Sequence, residues 1–349
     1  MIFFILPSII AHLLGTIPFG KGSRVLTKAI GLLSGGLDSI LATRLLEDQG
    51  IEILAISFKT PFFGFQKAQR AAIRLKVSLR IIDISQEHLQ LVQNPRYGYG
   101  RNMNPCIDCH ILMLKQAGYL LERENFDFIF TGEVLGQRPM SQNKQVLQLV
   151  ARNSGYEELV LRPLSAKLLP ETRPEKEGKV DRGRLLDIQG RSRKSQFELA
   201  KRYGIDDFPA PAGGCLLTDP AFSRRLRDLL AHQKEVQIRD IELLQVGRHF
   251  RLDESTKVVI GRRKEENERL LELADQGDVV IKVTDYPGPI TLIPRGGPKM
   301  CIETAASLCV RYSDGPNNIP VLVLLERDGV EERLESPACS QEICQALII

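Results

Sequence analysis

The sequence predicts an α/β protein in which a doubly wound parallel sheet is followed by a smaller α+β domain. Two observations indicate this fold class. Apolar runs of strand length alternate with helical patterns in the first part of the chain, which is typical of parallel βαβ units. After about residue 236 the pattern changes to short β-branched runs around two helices. A chain of 349 residues is long enough for two domains that each bury a core.

Strands and helices are expected to alternate from residue 28 onward. The first apolar run ends at Leu33, and the helical pattern Ile40, Leu41, Leu45 and Leu46 follows a short glycine turn. We expect the strands at residues 28–33, 51–58, 79–84 and 126–131. We expect further helices at residues 66–76, 106–123, 142–153 and 192–203, and a long exposed connection at residues 163–184.

The later part of the chain predicts the α+β domain. Its expected strands are residues 258–260, 279–283, 290–293 and 321–325, and its expected helices are residues 265–273 and 302–311. We therefore divide the chain into an apolar N-terminal extension (1–24), an α/β domain (25–235) and an α+β accessory domain (236–349). The extension carries no cation before Lys21 and is interrupted by Pro7 and His12, so we expect neither a signal peptide nor a membrane anchor.

The charge distribution and the cysteine content indicate which kind of partner and which cellular compartment to expect. Lysine and arginine exceed aspartate and glutamate by 47 to 43. Basic residues outnumber acidic ones before residue 236, and acidic residues outnumber basic ones after it. This distribution favours a polyanionic partner that binds to the region before residue 236. Seven cysteines are too few, and odd in number, for a secreted disulfide framework. We expect a reducing, cytoplasmic location.

The strongest phosphate-binding candidate is the string Ser34-Gly35-Gly36-Leu37-Asp38-Ser39. Its glycines let the backbone turn sharply after a strand, and the following helix start offers free N–H groups to an anion. Asp38 could hold Mg²⁺. The alternative is an ordinary capped helix after a glycine turn. An earlier string, residues 15–22, matches the P-loop motif from its first glycine to its lysine. The next residue is Gly22, where the motif requires a serine or threonine whose hydroxyl group binds magnesium.

This string resembles the pyrophosphate loop of the PP-loop ATP pyrophosphatases, which have an adenine-nucleotide alpha-hydrolase-like fold. The stretch from Thr131 to Gln137, then Ser141-Gln142 and Leu161-Arg162-Pro163-Leu164, resembles the ThiI family of tRNA 4-thiouridine synthetases in order and spacing. The resemblance covers residues 28–235 and implies that ATP is split into AMP and pyrophosphate. The nucleotide-binding residues it implies are Ser34, Gly35, Gly36, Leu37, Asp38, Ser39, Phe58, Thr131, Gly132, Glu133 and Gln137.

Three cysteines suggest sulfur chemistry. Cys106 and Cys109 open a predicted helix, whose dipole favours their thiolates, and Cys215 lies in a glycine turn. A haem attachment string ending in His110 would require export. A structural zinc would take a fourth ligand from His110, Cys301, Cys309, Cys339 or Cys344. A resemblance to cluster-dependent tRNA thiolases implies a 4Fe–4S cluster on Cys106, Cys109 and Cys215, and a metal-free persulfide mechanism is the remaining alternative.

Two further features point to RNA. Residues 173–202 are rich in basic side chains that could follow a phosphate backbone, although a charged run can also be a solvated face. These include Arg182, Arg184, Arg191, Arg193, Lys194, Lys201 and Arg202. Residues 259–267 and 312–321 loosely resemble the NFACT-R type of RNA-binding domain.

Together these features predict an ATP-dependent tRNA sulfurtransferase, with Asp38, Cys106, Cys109 and Cys215 as its catalytic residues. The expected cofactors are ATP, Mg²⁺ and the cluster, with zinc or no metal as alternatives to the cluster. The expected partners are tRNA and a sulfur donor, with no membrane, and a homodimer is one alternative for the assembly. The alternative functions are another PP-loop ligase, which captures the adenylate with ammonia, and a non-catalytic RNA-binding factor that binds ATP.

Overall fold

The computed structural model describes residues 26–208 and 214–349. The N-terminal extension, the glycine string at 15–22 and most of the turn before Cys215 lie outside these ranges. The first sheet has five strands, all paired in parallel in the order β3-β2-β1-β4-β5. The strands are β1 (Lys28–Leu32), β2 (Glu52–Lys59), β3 (Ser78–Asp83), β4 (Phe128–Thr131) and β5 (Val160–Leu161). The predicted parallel sheet is confirmed.

Helices cover both faces of this sheet. The helices of the first unit are α1 (Leu37–Glu47), α2 (Gln66–Leu75), α3 (Ser85–Gln93), α4 (Cys106–Glu124), α5 (Lys144–Ser154), α6 (Arg173–Lys176), α7 (Lys194–Arg202) and α8 (Pro220–His232). Helix α8 packs against α3 rather than on a face of the sheet. Leu41 of α1, Ala68 of α2 and Leu199 of α7 belong to one buried cluster. Leu114 of α4 and Val150 of α5 belong to another. The chain therefore winds to both sides of the sheet, as the alternating pattern predicts.

The connection after β5 differs from the prediction. We expected residues 163–184 to be exposed, but Leu164, Pro174 and Val180 are buried. Leu164 and Val180 pack in the same cluster as α1. These few apolar residues could not be predicted as buried, because their spacing matches neither the helix nor the strand period. The high content of Pro, Lys and Glu around them indicates an exposed segment instead.

The second sheet has six antiparallel strands in the order β11-β10-β8-β9-β7-β6. The strands are β6 (Arg248–Arg251), β7 (Lys257–Ile260), β8 (Val279–Val283), β9 (Thr291–Ile293), β10 (Val321–Arg327) and β11 (Val330–Ser336). The helices are α9 (Ile238–Leu243), α10 (Lys264–Leu273), α11 (Lys299–Arg311) and α12 (Gln341–Leu347). This arrangement confirms the smaller α+β unit, although β6, β11, α9 and α12 were not predicted.

Helices α8 and α9 lie where the two units meet. Leu226 and Leu229 of α8 and Ile241 of α9 pack with Phe62 and Leu89 of the first unit. The same α9 also gives Leu243 to a cluster under the second sheet. We keep the division at residue 235 as a proposal, in which α9 bridges the two domains. None of the helices in the described ranges combines the length and the apolar character that crossing a bilayer requires.

Candidate active site

A cavity of about 540 Å³ opens at the carboxyl ends of β1 and β4. This is the point where the strand order reverses, which is where open α/β sheets bind ligands. The cavity lining includes nine of the residues predicted to bind the nucleotide, namely Ser34, Gly36, Leu37, Asp38, Ser39, Thr131, Gly132, Glu133 and Gln137. Phe58 does not line it, because its side chain is buried in the core on the α4 side of the sheet. The cavity gives no support to a nucleotide contact by Phe58.

Two glycines bring the walls of this cavity together. Gly35 has φ +77°, and a Cβ there would collide with the backbone of Lys67 in α2. This packing explains why Gly35 itself is not among the lining residues. A Cβ on Gly132 would lie 2.5 Å from the backbone nitrogen of Ser39. The loop after β4 therefore rests directly on the first turn of α1, which only glycine allows.

The start of α1 is open toward the cavity. Its N-cap residue, Gly36, provides no side-chain hydrogen bond to the first turn. Ser39 Oγ donates instead to the Gly36 carbonyl oxygen at 2.8 Å, and Ser34 Oγ lies 3.3 Å from Ser39 Oγ. An open helix start with adjacent hydroxyl groups is an anion-binding arrangement. This geometry disfavours the alternative of an ordinary capped helix.

Asp38 faces the cavity with one oxygen free. Gln137 Nε2 donates to Asp38 Oδ2 at 3.1 Å, whereas Oδ1 makes no hydrogen bond within the described part of the chain. Arg193 Nη2 lies 3.7 Å from that Oδ1. Arg191 and Arg193 both line the cavity, although the sequence indicated them only as part of the basic run. A carboxylate oxygen and a guanidinium thus both remain available to a charged ligand.

A buried network supports the other wall. Glu133 Oε2 accepts hydrogen bonds from Arg162 Nε and Thr131 Oγ1, both at 3.0 Å, and Oε1 lies 2.8 Å from His110 Nδ1. Burial by itself raises the pKa of Glu133, but Arg162, His110 and Thr131 outweigh it and hold the pKa well below its usual range. Both carboxylate oxygens of Glu133 are occupied by these partners, so Glu133 holds the wall of the cavity in place. The contributions of His110 and Arg162 to this wall were not predicted from the sequence.

The predicted cysteine trio lies beside the cavity. Cys106 and Cys109 stand on the first turn of α4, and Cys215 precedes a short 3₁₀ helix whose Leu216 N–H donates to the carbonyl oxygen of Phe62 at 2.9 Å. His110 and Gly214, the chain neighbours of Cys109 and Cys215, both line the cavity. The fold therefore brings Cys215 to the start of α4, as a shared site requires.

Two polar groups contact these thiols. His88 Nε2 lies 3.2 Å from Cys109 Sγ, and Asn104 Nδ2 donates to Cys106 Sγ at 3.2 Å. Burial raises the pKa of Cys109 well above that of a free thiol, and the charges of Cys215 and Cys106 raise it further. Burial also raises the pKa of Cys215, to about 11. Desolvation therefore opposes the predicted stabilisation of a Cys109 thiolate by the helix dipole.

The arrangement of the thiols disfavours a single zinc ion. Among the described residues no three His, Cys, Asp or Glu side chains are placed to hold one metal ion. The proposed fourth ligands are also engaged elsewhere. His110 contacts Glu133, Cys301 Sγ donates to Asp253 Oδ2 at 3.0 Å, and the other three candidates, Cys309, Cys339 and Cys344, are buried in the core of the second sheet.

The basic run does not form one solvated face. Arg182 contacts Glu175, and Arg184 Nη2 donates to the carbonyl oxygen of Asp48 at 2.7 Å. Arg193 turns into the cavity, whereas the Lys194 side chain is 83% exposed. The phosphate backbone of a nucleic acid could therefore contact only some of the basic residues predicted in this run.

Comparisons with known proteins match two separate segments of the chain. Residues 24–167 match the family model of the thiamine biosynthesis protein ThiI, and residues 247–346 match that of the NFACT protein RNA binding domain. A probable tRNA sulfurtransferase from Geobacillus thermodenitrificans is 32% identical over 159 residues, which is 43% of this chain and 37% of the relative. Another from Geobacillus sp. is 33% identical over 132 residues, 35% of this chain and 31% of the relative.

One solved structure in the comparison is a 4-thiouridine synthetase–RNA complex with bound ATP. Its sequence is 22% identical to this chain, and the TM-score is 0.35. The matched region is 63% of this chain and 52% of the chain in that structure. The chain spans about a third of the length of the curated relatives it matches. The resemblance that the motifs indicate is confirmed for two segments: residues 24–167 match the ThiI family, and residues 247–346 match the RNA binding domain of the NFACT proteins.

Proposed function

We propose that this protein is an ATP-dependent tRNA sulfurtransferase. One observation carries the proposal: a single cavity contains the open start of α1, the loop after β4 and two arginines, and the cysteine trio lies at its border. In the proposed reaction an oxygen of a tRNA base attacks the α-phosphate of ATP, and pyrophosphate leaves. Sulfur then replaces the oxygen, and AMP is released. The names of the ThiI-type relatives support this assignment.

The chain's own residues account for the binding of ATP. The free N–H groups at the start of α1 and the hydroxyl groups of Ser34 and Ser39 would bind the leaving pyrophosphate. Arg191 and Arg193 add positive charge to the lining of the cavity. Asp38 fits a Mg²⁺ ligand because its Oδ1 has no hydrogen-bond partner among the described residues. Magnesium bound there would neutralise charge that develops on the phosphates.

The cysteine trio fits a sulfur-handling site. All three thiols are free, Cys106 and Cys109 share the first turn of α4, and the chain neighbours of Cys109 and Cys215 line the same cavity. A cluster would be held by Cys106, Cys109 and Cys215, and would supply an iron with no protein ligand for binding the sulfur to be transferred. His88 and Asn104 would donate N–H groups to the sulfur atoms of Cys109 and Cys106, a contact that tunes such clusters. The persulfide alternative uses the same thiols.

The tRNA would be held by both domains. Exposed basic residues such as Lys194 stand near the rim of the cavity, where they would meet the phosphate backbone. The NFACT-type segment adds a second RNA contact, since its family model is that of an RNA binding domain. We place the reaction in the cytoplasm, where charged nucleotides and tRNA are both abundant.

Nucleoside mass analysis tests this function. The tRNA from a strain lacking the gene should have lost one sulfur-containing nucleoside, and the purified protein with ATP and a sulfur source should restore it. An unchanged nucleoside profile, with ATP split in the presence of ammonia, would favour the amidating ligase. RNA binding without any splitting of ATP would favour the non-catalytic factor.

A further inference from the structure

A second cavity, of about 190 Å³, lies where α8 and α9 meet the second sheet. Arg251 of β6, Lys257 of β7 and Arg295, which follows β9, line it together with Asp240 of α9. Apolar side chains such as Leu229, Leu243 and Val259 also line it, together with the polar side chains of His232, Gln233 and Ser255. Three cationic groups thus converge on a small, partly apolar space that is separate from the proposed active site.

Two of these cations already have carboxylate partners. Arg251 donates to both oxygens of Asp228, at 3.1 and 2.6 Å. Arg295 Nη2 donates to Asp240 Oδ2 at 2.9 Å, and the same oxygen accepts from Gln233 Nε2 at 2.7 Å. Each arginine is therefore neutralised by one carboxylate.

Lys257 is the cation in excess. Its side chain is only 10% exposed, and Nζ makes no hydrogen bond within the described ranges. The nearest carboxylate oxygen, Asp228 Oδ2, lies 3.7 Å away and is already bound by Arg251. Burial lowers the pKa of Lys257 to about 8, so the amine is still mostly protonated at neutral pH. A buried ammonium without a hydrogen-bond acceptor is costly, and an anion in the cavity would offset that cost.

We propose that this cavity binds a phosphate group, held by Lys257 with Arg251 and Arg295 beside it. The cavity volume is several times the roughly 30 Å³ that one water occupies in the liquid, so a tetrahedral oxyanion fits. The excess positive charge excludes a metal cation, and the ammonium disfavours an apolar ligand. The phosphate could be inorganic phosphate or a phosphate of RNA, because both present the same oxygens. Bound there, it would join α8 to the second sheet.

Calorimetric titration with inorganic phosphate, in a phosphate-free buffer of low ionic strength, tests the proposal on the full chain. Lys257→Met removes the charge and keeps the length of the side chain. Lys264→Met is the matched control, because the Lys264 side chain is 85% exposed on α10. The wild type and K264M should bind phosphate equally, and K257M should bind it about tenfold or more weakly. Phosphate that also binds in the larger cavity would give a heat of binding that K257M does not change. The heat of binding that is lost in K257M therefore reports on the smaller cavity.

Arg295→Gln provides a second variant, since the Arg295 side chain is 48% exposed and its replacement leaves the core intact. R295Q should weaken phosphate binding several-fold even if K257M does not fold. The proposal is overturned if the wild type shows no binding, or if K257M and R295Q bind phosphate as K264M does. Titration with a short single-stranded RNA identifies the source. Weaker RNA binding by K257M, with competition by phosphate, indicates an RNA phosphate, and unchanged RNA binding indicates the free ion.

Discussion

Arg193 and Asp38 form an ion pair in the lining of the larger cavity, with 3.7 Å between Arg193 Nη2 and Asp38 Oδ1. Neither group is saturated, since Arg193 Nε and Nη1 and Asp38 Oδ1 make no hydrogen bond in the described part of the chain. The guanidinium carbon lies 5.4 Å from the centre of the Phe197 ring, which supports its orientation. This pair can therefore hold both a phosphate and its counter-ion.

Replacing Arg193 should weaken the binding of phosphate-bearing ligands selectively. Arg193→Gln removes a charged donor, which is typically worth about 1.5–3 kcal/mol, so the ATP dissociation constant should rise by roughly 10–150-fold. Adenosine binding should stay unchanged because it has no phosphate. Fluorescence or calorimetric titration of both ligands measures the difference. Lys194→Gln, at an 83% exposed position, is the control. An equal loss for ATP and adenosine would mean that Arg193 only supports the shape of the cavity.

Asp38→Asn should abolish the formation of AMP while the fold remains intact. The amide can still accept a hydrogen bond from Gln137, but it loses the negative charge that magnesium needs. Asp38 does not cap α1, so the cost of about 0.5–2 kcal/mol that follows loss of a helix cap is not expected. Thermal unfolding and a product assay measure the two effects separately. Normal activity with a lower melting temperature would contradict this role.

ATP should be split into AMP and pyrophosphate. The open start of α1 and the hydroxyl groups of Ser34 and Ser39 offer hydrogen-bond donors to an anion. The string from Ser34 to Ser39 does not contain the lysine that a P-loop places on the terminal phosphates. Product chromatography after incubation with ATP and tRNA decides the outcome. ADP and inorganic phosphate as the main products would exclude the pyrophosphatase mechanism.

Much of the fold follows from the sequence because parallel βαβ units leave a strong periodic signal. The ends of β1, β2 and β8 fall within one residue of the predictions. Helix α8 was missed because its apolar residues contact α3 and α9 rather than a sheet, and four basic and acidic residues dominate its local pattern. Strand β11 was missed because nearly all its side chains are exposed, so no alternation marks it.

The cysteine trio should act as one unit in sulfur transfer. Protein purified without oxygen should be brown and contain iron and inorganic sulfide. Serine at Cys106, Cys109 or Cys215 should remove the colour and the sulfur transfer but spare AMP formation, which depends on the separate phosphate loop. Cys301→Ser is the matched control, because serine can still donate to Asp253.

Two results would contradict the cluster. A colourless protein with one tightly bound zinc ion would replace it with a zinc site. A metal-free protein in which C106S keeps full activity and C215S loses it would leave only the persulfide mechanism.

Glu133 should make stability depend on acid pH. Since its pKa is lowered in the folded state, the ionised carboxylate stabilises the fold above roughly pH 4.3, and this contribution is lost as the pH falls toward the folded-state pKa. Glu133→Gln should lower the free energy of unfolding at pH 7 by about 3–5 kcal/mol, because it leaves Arg162 buried without its partner. The difference between wild type and variant should shrink between pH 5 and 3. Urea unfolding at several pH values measures it, and a constant difference would refute the assignment.

The site was only partly accessible to sequence reasoning. The glycine string and the loop after β4 could be found because each follows a strand that ends at the same sheet edge. Arg193, the N-cap residue of α7, and His110 of α4 both line the cavity. The directions of their side chains depend on helix packing, which one sequence does not reveal. The cysteine trio could be assembled only through a resemblance, since Cys215 is distant in sequence.

Strand β11 forms one edge of the second sheet, and its exposed side chains include Glu331, Glu332 and Glu335. Unpaired strand edges readily recruit other strands, and charge on the edge opposes this. The same acidic strand would repel a nucleic-acid backbone, so we expect the proposed RNA contact of this domain to lie away from β11. A chain shortened before Val330 would expose β10, whose segment from Val321 to Leu325 is apolar. Such a fragment would self-associate through this edge, which makes the hairpin a solubility element of the protein.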